Sequence, residues 1–149
     1  MIRNIVKVGD PLLRKVSKPV KSFDEKLSDL LDDMRDTMRA NNGVGIACPQ
    51  VGILRRCFVI EVNEMYIECI NPEILSMEGE SVDMEGCLSV PNRSGMVKRP
   101  AKVTVKAFDR YGNEFILTVN DFCARAICHE YDHLDGILYI DKLEKGEGK

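Results

Sequence analysis

The sequence predicts an α+β fold: mostly antiparallel strands packed around a central late helix, with a further helix near the N-terminus. Three observations carry that prediction. An amphipathic stretch lies early in the chain, short apolar or alternating runs fill its middle, and a second helical stretch follows those runs near the end. Strands grouped ahead of a late helix favour α+β over an alternating α/β order.

The N-terminal helix is read from Leu27, Leu30, Leu31, Met34 and Met38, which recur at helical spacing. Ser22 and Glu25 have capping-box spacing, and Asn41-Asn42-Gly43 supplies a stop. The methionine stripe reads as core packing. Cys57-Phe58-Val59-Ile60, Tyr66-Ile67-Glu68-Cys69-Ile70 and Glu73 to Met77 read as three short strands, with Asn63-Glu64 as a turn between the first two. Val103, Val105 and Ala107 alternate with polar neighbours, and residues 109–113 form a hairpin turn into Phe115-Ile116-Leu117-Thr118-Val119. The second helix starts near Asn120 or Asp121 and stops at Gly136; Ile137-Leu138-Tyr139-Ile140 is predicted as a last short strand. Residues 1–149 are expected to form a single domain, with 145–149 as a frayed polar tail.

Composition excludes several classes. At 44% hydrophobic the chain is no disordered tail, and a net charge of -3 without a basic run argues against a nucleic-acid binder. No apolar stretch approaches the ~20 residues that span a bilayer. The N-terminus lacks a secretory apolar region. A soluble cytoplasmic protein is expected, with no membrane partner and no nucleic-acid specificity. The six cysteines are accordingly read as mostly buried free thiols, one of them a possible ligand.

The two histidines of the chain, His129 and His133, stand four residues apart, with Glu130 after the first. On a helix both imidazoles face one way, so they can hold one metal while the glutamate reaches a water beside it. The late helix is therefore read as metal-binding. With His129 at zero and 100° per residue, Phe122, His133, Ala126 and Glu130 fall at about 20°, 40°, 60° and 100°. Cys123, Leu134 and Ile127 lie at about 120–160°, a core side. Asp121, Arg125, Cys128, Asp132 and Asp135 lie at about 240–320°, a solvent side. A catalytic site needs a third protein ligand and one open position. Cys57 and Cys69 read as strand interior, and the wheel disfavours Cys123 and Cys128. Cys48 and Cys87 remain as candidates.

Residues 43–50 read Gly-Val-Gly-Ile-Ala-Cys-Pro-Gln, residues 85–89 read E-G-C-L-S, and residues 129–133 read His-Glu-Tyr-Asp-His. In this order the three segments resemble the peptide deformylase motifs G-x-G-[LIVM]-A-A-x-Q, E-G-C-L-S and H-E-x-D-H. The resemblance implies Cys87, His129 and His133 as metal ligands and Glu130 as general acid/base. It implies Gln50 and the backbone N–H of Leu88 as oxyanion donors, and Gly45 as a backbone contact for the peptide. It implies a methionine pocket that includes Val44, Ile46, Phe122 and Ala126. The implied activity is removal of the N-formyl group from the N-terminal methionine of new proteins, with release of formate. The implied cofactor is one Fe²⁺ per chain, replaceable by Zn²⁺ or Ni²⁺. The implied partners are N-formylmethionyl nascent peptides, with a transient ribosome contact. Cys48 and Cys128 depart from the pattern, which usually has alanine and commonly glutamine there. Two rival readings are an H-E-x-x-H metallopeptidase, disfavoured by a cysteine ligand, and a non-enzymatic metal-binding domain, which would normally close with a fourth ligand.

Overall fold

The structure, a computed structural model, describes residues 1–144. The predicted tail, 145–149, lies outside the described residues. Helix α1 (Glu25–Ala40) precedes strands β1 (Gly45–Ala47), β2 (Cys57–Val62), β3 (Met65–Glu78), β4 (Ser81–Cys87), β5 (Val90–Arg99), β6 (Lys102–Phe108) and β7 (Glu114–Asn120), and helix α2 (Asp121–Leu134) follows. This is the predicted α+β class. A five-stranded antiparallel sheet runs in the order β1-β2-β3-β6-β7, and β4-β5 form a separate hairpin.

The large sheet lies between the helices, and strand alternation decides which helix each side chain meets. In β2, Cys57 and Val59 pack with Leu31, Met34 and Met38 of α1. Phe58 and Ile60 pack on the other face with Ala124, Ala126 and Ile127 of α2. Burial on both faces explains the continuous apolar run of β2. Asn63 and Glu64 turn the chain with positive φ (50° and 69°), as a tight hairpin needs. No helix among the described residues is long and apolar enough to cross a membrane.

Four local expectations are corrected. Helix α1 is capped by Asp24, whose carboxylate accepts from the Leu27 N–H (3.1 Å), so Ser22 stands outside the cap. Glu73 to Met77 is no separate strand; it continues β3 beyond an irregularity at Asn71, whose φ is 50°. The Asn71 amide holds that kink by pairing with both backbone groups of Val20. Residues 137–140 do not form a strand. Asp141 accepts from the Leu138 N–H (3.1 Å), and a 3-10 helix, Tyr139–Lys142, forms instead. Finally, the sequence pattern predicts no strand over residues 81–99, where β4 and β5 stand. That hairpin leaves Val82 and Met84 exposed and contains Gly86, Pro91 and Gly95, which blur a period of two.

Glu61 of β2 ties α1 to the sheet by accepting from Arg39 Nε and Nη2 and from Arg35 Nη2, each at 2.8 Å. Arg39 first, then Arg35, lower its pKa from 4.5 to about 2. A depressed carboxylate contributes stability above its unfolded pKa and loses it as pH falls through the folded one. Glu61→Gln should therefore lower Tm at pH 7, and the gap to wild type should narrow between pH 4.5 and 2. Thermal unfolding of both proteins at pH 7 and at an acidic pH inside that window checks this. An equal gap at both would contradict it.

Candidate active site

Strand β7 runs into α2 without a loop, because Asp121 takes a positive φ of 51° at the junction. The helix brings His129, Glu130 and His133 into the interior, 8%, 4% and 1% exposed. Cys87, at the end of β4, meets them there. The donor atoms of Cys87, His129 and His133 all lie within 4.8 Å of one another. Cys87 Sγ is 3.4 Å from His133 Nε2. His129 Nδ1–H donates to Glu85 Oε1 (2.8 Å), which leaves its Nε2 available.

The first glycine-rich segment closes the other side. Gly45 lies so near Glu130 that a Cβ there would be 2.6 Å from Glu130 Oε2, so only glycine lets the carboxylate occupy its position. Gln50 accepts from the Ala47 N–H through Oε1 (2.9 Å). Its Nε2 donates to Ser89 Oγ (3.1 Å) and approaches Cys87 Sγ (3.5 Å). Two more bonds pin these segments to the N-terminal segment: Val6 N–H to Gln50 O, 2.8 Å, and Val8 N–H to Ser89 O, 2.7 Å.

A cavity of about 320 Å³ opens over this group. Of the residues singled out in the sequence, Val44, Gly45, Gln50, Cys87, Leu88, Phe122, Ala126, His129 and Glu130 line it. His133 is present at the donor cluster but beneath the cavity floor. Ile46 is not part of the wall: alternation along β1 turns it into the α1-side core, fully buried beside Met34 and Met38. Met84 and Arg125 line the cavity without having been anticipated.

The wheel's solvent side also needs correction. Arg125 and Cys128 are 4% and 6% exposed: groups of the β4-β5 hairpin cover Arg125, and Cys128 joins the apolar cluster between α2 and the large sheet. Charges are matched there. Glu85 Oε2 accepts from Arg99 Nε (2.8 Å) and Arg125 Nη1 (2.7 Å), while Oε1 accepts from Arg99 Nη2 (3.0 Å). Arg99 Nη1 donates to Asp132 (2.7 Å). Glu85 could have been suspected from sequence as the carboxylate nearest Cys87, since a histidine ligand usually needs an acceptor for its other N–H.

Electrostatics follow from this packing. Burial raises the Glu130 pKa to about 7, with His129 opposing it. Burial works against charge on His129, but Cys87, Glu130 and Glu85 raise its pKa to about 10. That negative field favours a cation as it favours a proton. Burial, and then His129, hold the His133 pKa well below the usual imidazole range.

A family model described as polypeptide deformylase matches residues 2–149. The chain belongs to the polypeptide deformylase family. A peptide deformylase of Caldicellulosiruptor bescii is 58% identical over 142 residues, which is 95% of this chain and 86% of the relative. Peptide deformylase 1 of Clostridium acetobutylicum is 53% identical over 99% of this chain and 98% of the relative. The crystal structure of the Thermotoga maritima peptide deformylase superposes with a TM-score of 0.95 at 40% identity, covering 97% of this chain and 99% of that one. A Met-Ala-Ser-bound peptide deformylase from Acinetobacter baumannii superposes at 0.92 and 33% identity, covering 96% and 99%.

In this deformylase-family chain the two departures from the motifs are both core cysteines. Cys48 packs in the α1-side cluster and Cys128 in the α2-side cluster. Burial raises the Cys128 thiol to about 11, so it remains protonated near neutrality. Cys87→Ser should therefore weaken Zn²⁺ binding at least ~10-fold, the lower end of what even an outer partner of a metal site is worth, while Cys128→Ser leaves it unchanged. Chelator competition on both variants measures this, and equal affinities would contradict it.

Proposed function

We infer that this chain hydrolyses the formyl amide of N-formylmethionyl peptides and releases formate. The observation that carries the reading is the donor cluster of Cys87, His129 and His133 at a cavity lined also by Glu130 and Gln50, in a chain matched by the deformylase family from residue 2 to 149. The same extent of match supports a single catalytic domain.

Cys87, His129 and His133 suit a divalent metal. Three donors within reach, next to a cavity, describe an open site, whereas a structural site closes with four. Glu130 Oε1 is buried without a hydrogen-bond partner at the same place, as befits a group awaiting one. Held by these three residues, a divalent ion would supply Lewis-acid chemistry, polarising the formyl carbonyl and bringing the pKa of water toward neutrality. Glu130 takes the proton of the attacking water and passes it to the leaving amine, and a pKa near neutrality suits both halves of that transfer. Gln50 Nε2 and the Leu88 N–H donate to the oxyanion as it forms. The backbone of Gly45 receives the peptide chain.

Val44, Phe122 and Ala126 make the cavity wall apolar where the first side chain sits, and Met84 extends it. This wall suits methionine, the first residue of the peptide held by the Acinetobacter baumannii relative. The substrates are accordingly nascent chains, met in the cytoplasm.

Formyl-Met-Ala-Ser should release formate, and acetyl-Met-Ala-Ser should react far more slowly, as expected of a hydrolase specific for the formyl group. Glu130→Ala should lose at least ~10²-fold in kcat while retaining its metal. Formate release with parallel metal analysis tests both. Equal rates on the two peptides, or full activity of Glu130→Ala, would overturn the assignment.

Fe²⁺ is the proposed physiological metal, with Zn²⁺ or Ni²⁺ as substitutes; two imidazoles and a thiolate accept all three. Protein prepared without oxygen should contain iron and lose activity in air, and catalase should slow the loss. The Zn²⁺ form should escape the metal's share of that decay, since zinc has no redox chemistry. Identical decay of the iron and zinc forms would count against iron as the vulnerable centre.

A further inference from the structure

We propose that Arg125 is a positioning residue that closes the donor cluster, by clamping the hairpin that carries Cys87 onto the helix that carries His129 and His133. The proposal rests on the ligand reading above and adds a residue to it.

Hairpin β4-β5 shares no ladder with the five-stranded sheet. A lone two-stranded hairpin is marginal, so its position depends on what it packs against. Its backbone bonds to other segments come from the chain ends: Val8 N–H to Ser89 O and Glu144 N–H to Met96 O. Neither involves α2. Apart from the contact between Cys87 and His133, the polar ties from α2 to the hairpin among the described residues come from Arg125, His129 and Asp132. These positions are i, i+4 and i+7, one stripe along the helix.

The three ties are not equivalent. His129 is a member of the donor cluster, and Asp132 meets Arg99 at the far end of β5. Arg125 grips both strands at once. Its Nη1 donates to Glu85 Oε2 (2.7 Å) on β4 and to Val97 O (2.8 Å) on β5. Its Nη2 donates to Ser81 O (2.8 Å) and lies 3.4 Å from Ser81 Oγ. Only a planar fork with several donors can satisfy groups arranged this way; an ammonium cannot. Glu85 holds His129 through its other oxygen, and Cys87 lies two residues further along β4. Arg125 thus sets the hairpin's distance from α2 and the carboxylate that orients the imidazole. Its head is committed to these partners, so the stem is what it offers the cavity wall.

The test is Zn²⁺ affinity by chelator competition, together with the visible and near-ultraviolet bands of the Co²⁺-loaded full chain. The variants are Arg125→Met, Arg125→Lys, Cys87→Ser and Arg110→Met. Arg110 binds Glu68 and Asp32, away from the hairpin and α2, and reports a loss of ion pairs elsewhere. Arg125→Met should weaken Zn²⁺ binding roughly 10–100-fold, the scale of an outer partner of a metal site, and shift the Co²⁺ bands. Arg125→Lys should fall between it and wild type, and Arg110→Met should leave both readouts unchanged even if Tm drops equally. Wild-type affinity and bands in Arg125→Met overturn the proposal, as does an equal effect of Arg110→Met. If Arg125→Met does not fold, Arg125→Lys decides, and wild-type affinity there overturns it. Loss of the thiolate band in Cys87→Ser with Arg125 variants unaffected removes the clamp alone; an unaffected Cys87→Ser removes the ligand reading itself.

Discussion

Glu85 is a carboxylate 6% exposed to solvent, with Arg99, Arg125 and His129 around its two oxygens. Taking an ion out of water costs several kcal/mol unless its lone pairs are met by donors. Here burial opposes ionisation, but Arg99 and His129 hold the carboxyl well below the usual carboxylate range. The acceptor belongs to β4, and its donors belong to β5 and α2. Satisfying the charge and docking the hairpin are therefore one event. Removing one member would leave the others as uncompensated buried charge, a loss of about 3–5 kcal/mol in comparable pairs. That cost explains why a marginal hairpin can present Cys87 to the histidines in a fixed place.

The same fact explains what was legible in the sequence. Elements that pack apolar surface announce themselves. The stripe of α1, the run Cys57–Ile60 and the alternation of β6 all record burial against a hydrocarbon neighbour. The paired histidines are legible because four residues make roughly one turn. Polar burial leaves no such period. The face of α2 bearing Arg125 and Asp132 reads as solvated, because its partners are charges and carbonyls of a hairpin with little pattern of its own. Ile46 fails for a simpler reason. A strand of three residues, Gly45-Ile46-Ala47, is too short for an alternation to be read, and Gly45 faces the cavity while Ile46 faces α1.

Local rules are broken where the chemistry is expected. His133 Nδ1 and Glu130 Oε1 are buried with no protein partner, as are Ser17 Oγ, Arg35 Nε and Tyr139 Oη among the described residues, although nearly all buried polar atoms have one. Gly45 occupies a strand position where a side chain would add stability, and the contact with Glu130 forbids one. At a functional site such departures are tolerated when packing elsewhere offsets them. The offset here is visible in the apolar layer between the large sheet and α2, which fixes the helix independently of the site's own polar groups.

The six cysteines show how one fold separates filler from reagent. All are unpaired. Cys48 and Cys57 fill the α1-side core, while Cys69, Cys123 and Cys128 fill the α2-side core. Burial raises the thiols of Cys69, Cys123 and Cys128, and the hydrogen bond with neighbouring Cys48, followed by burial, raises that of Cys57. A thiol kept protonated is a poor ligand and a poor nucleophile, because both roles belong to the thiolate. Cys87 alone of the six is partly exposed, at the end of a strand, with Gln50 Nε2 and His133 Nε2 facing its sulfur. On the proposed ligand set, then, the choice among six identical side chains is made by solvation, and counting or spacing the cysteines could not have revealed it.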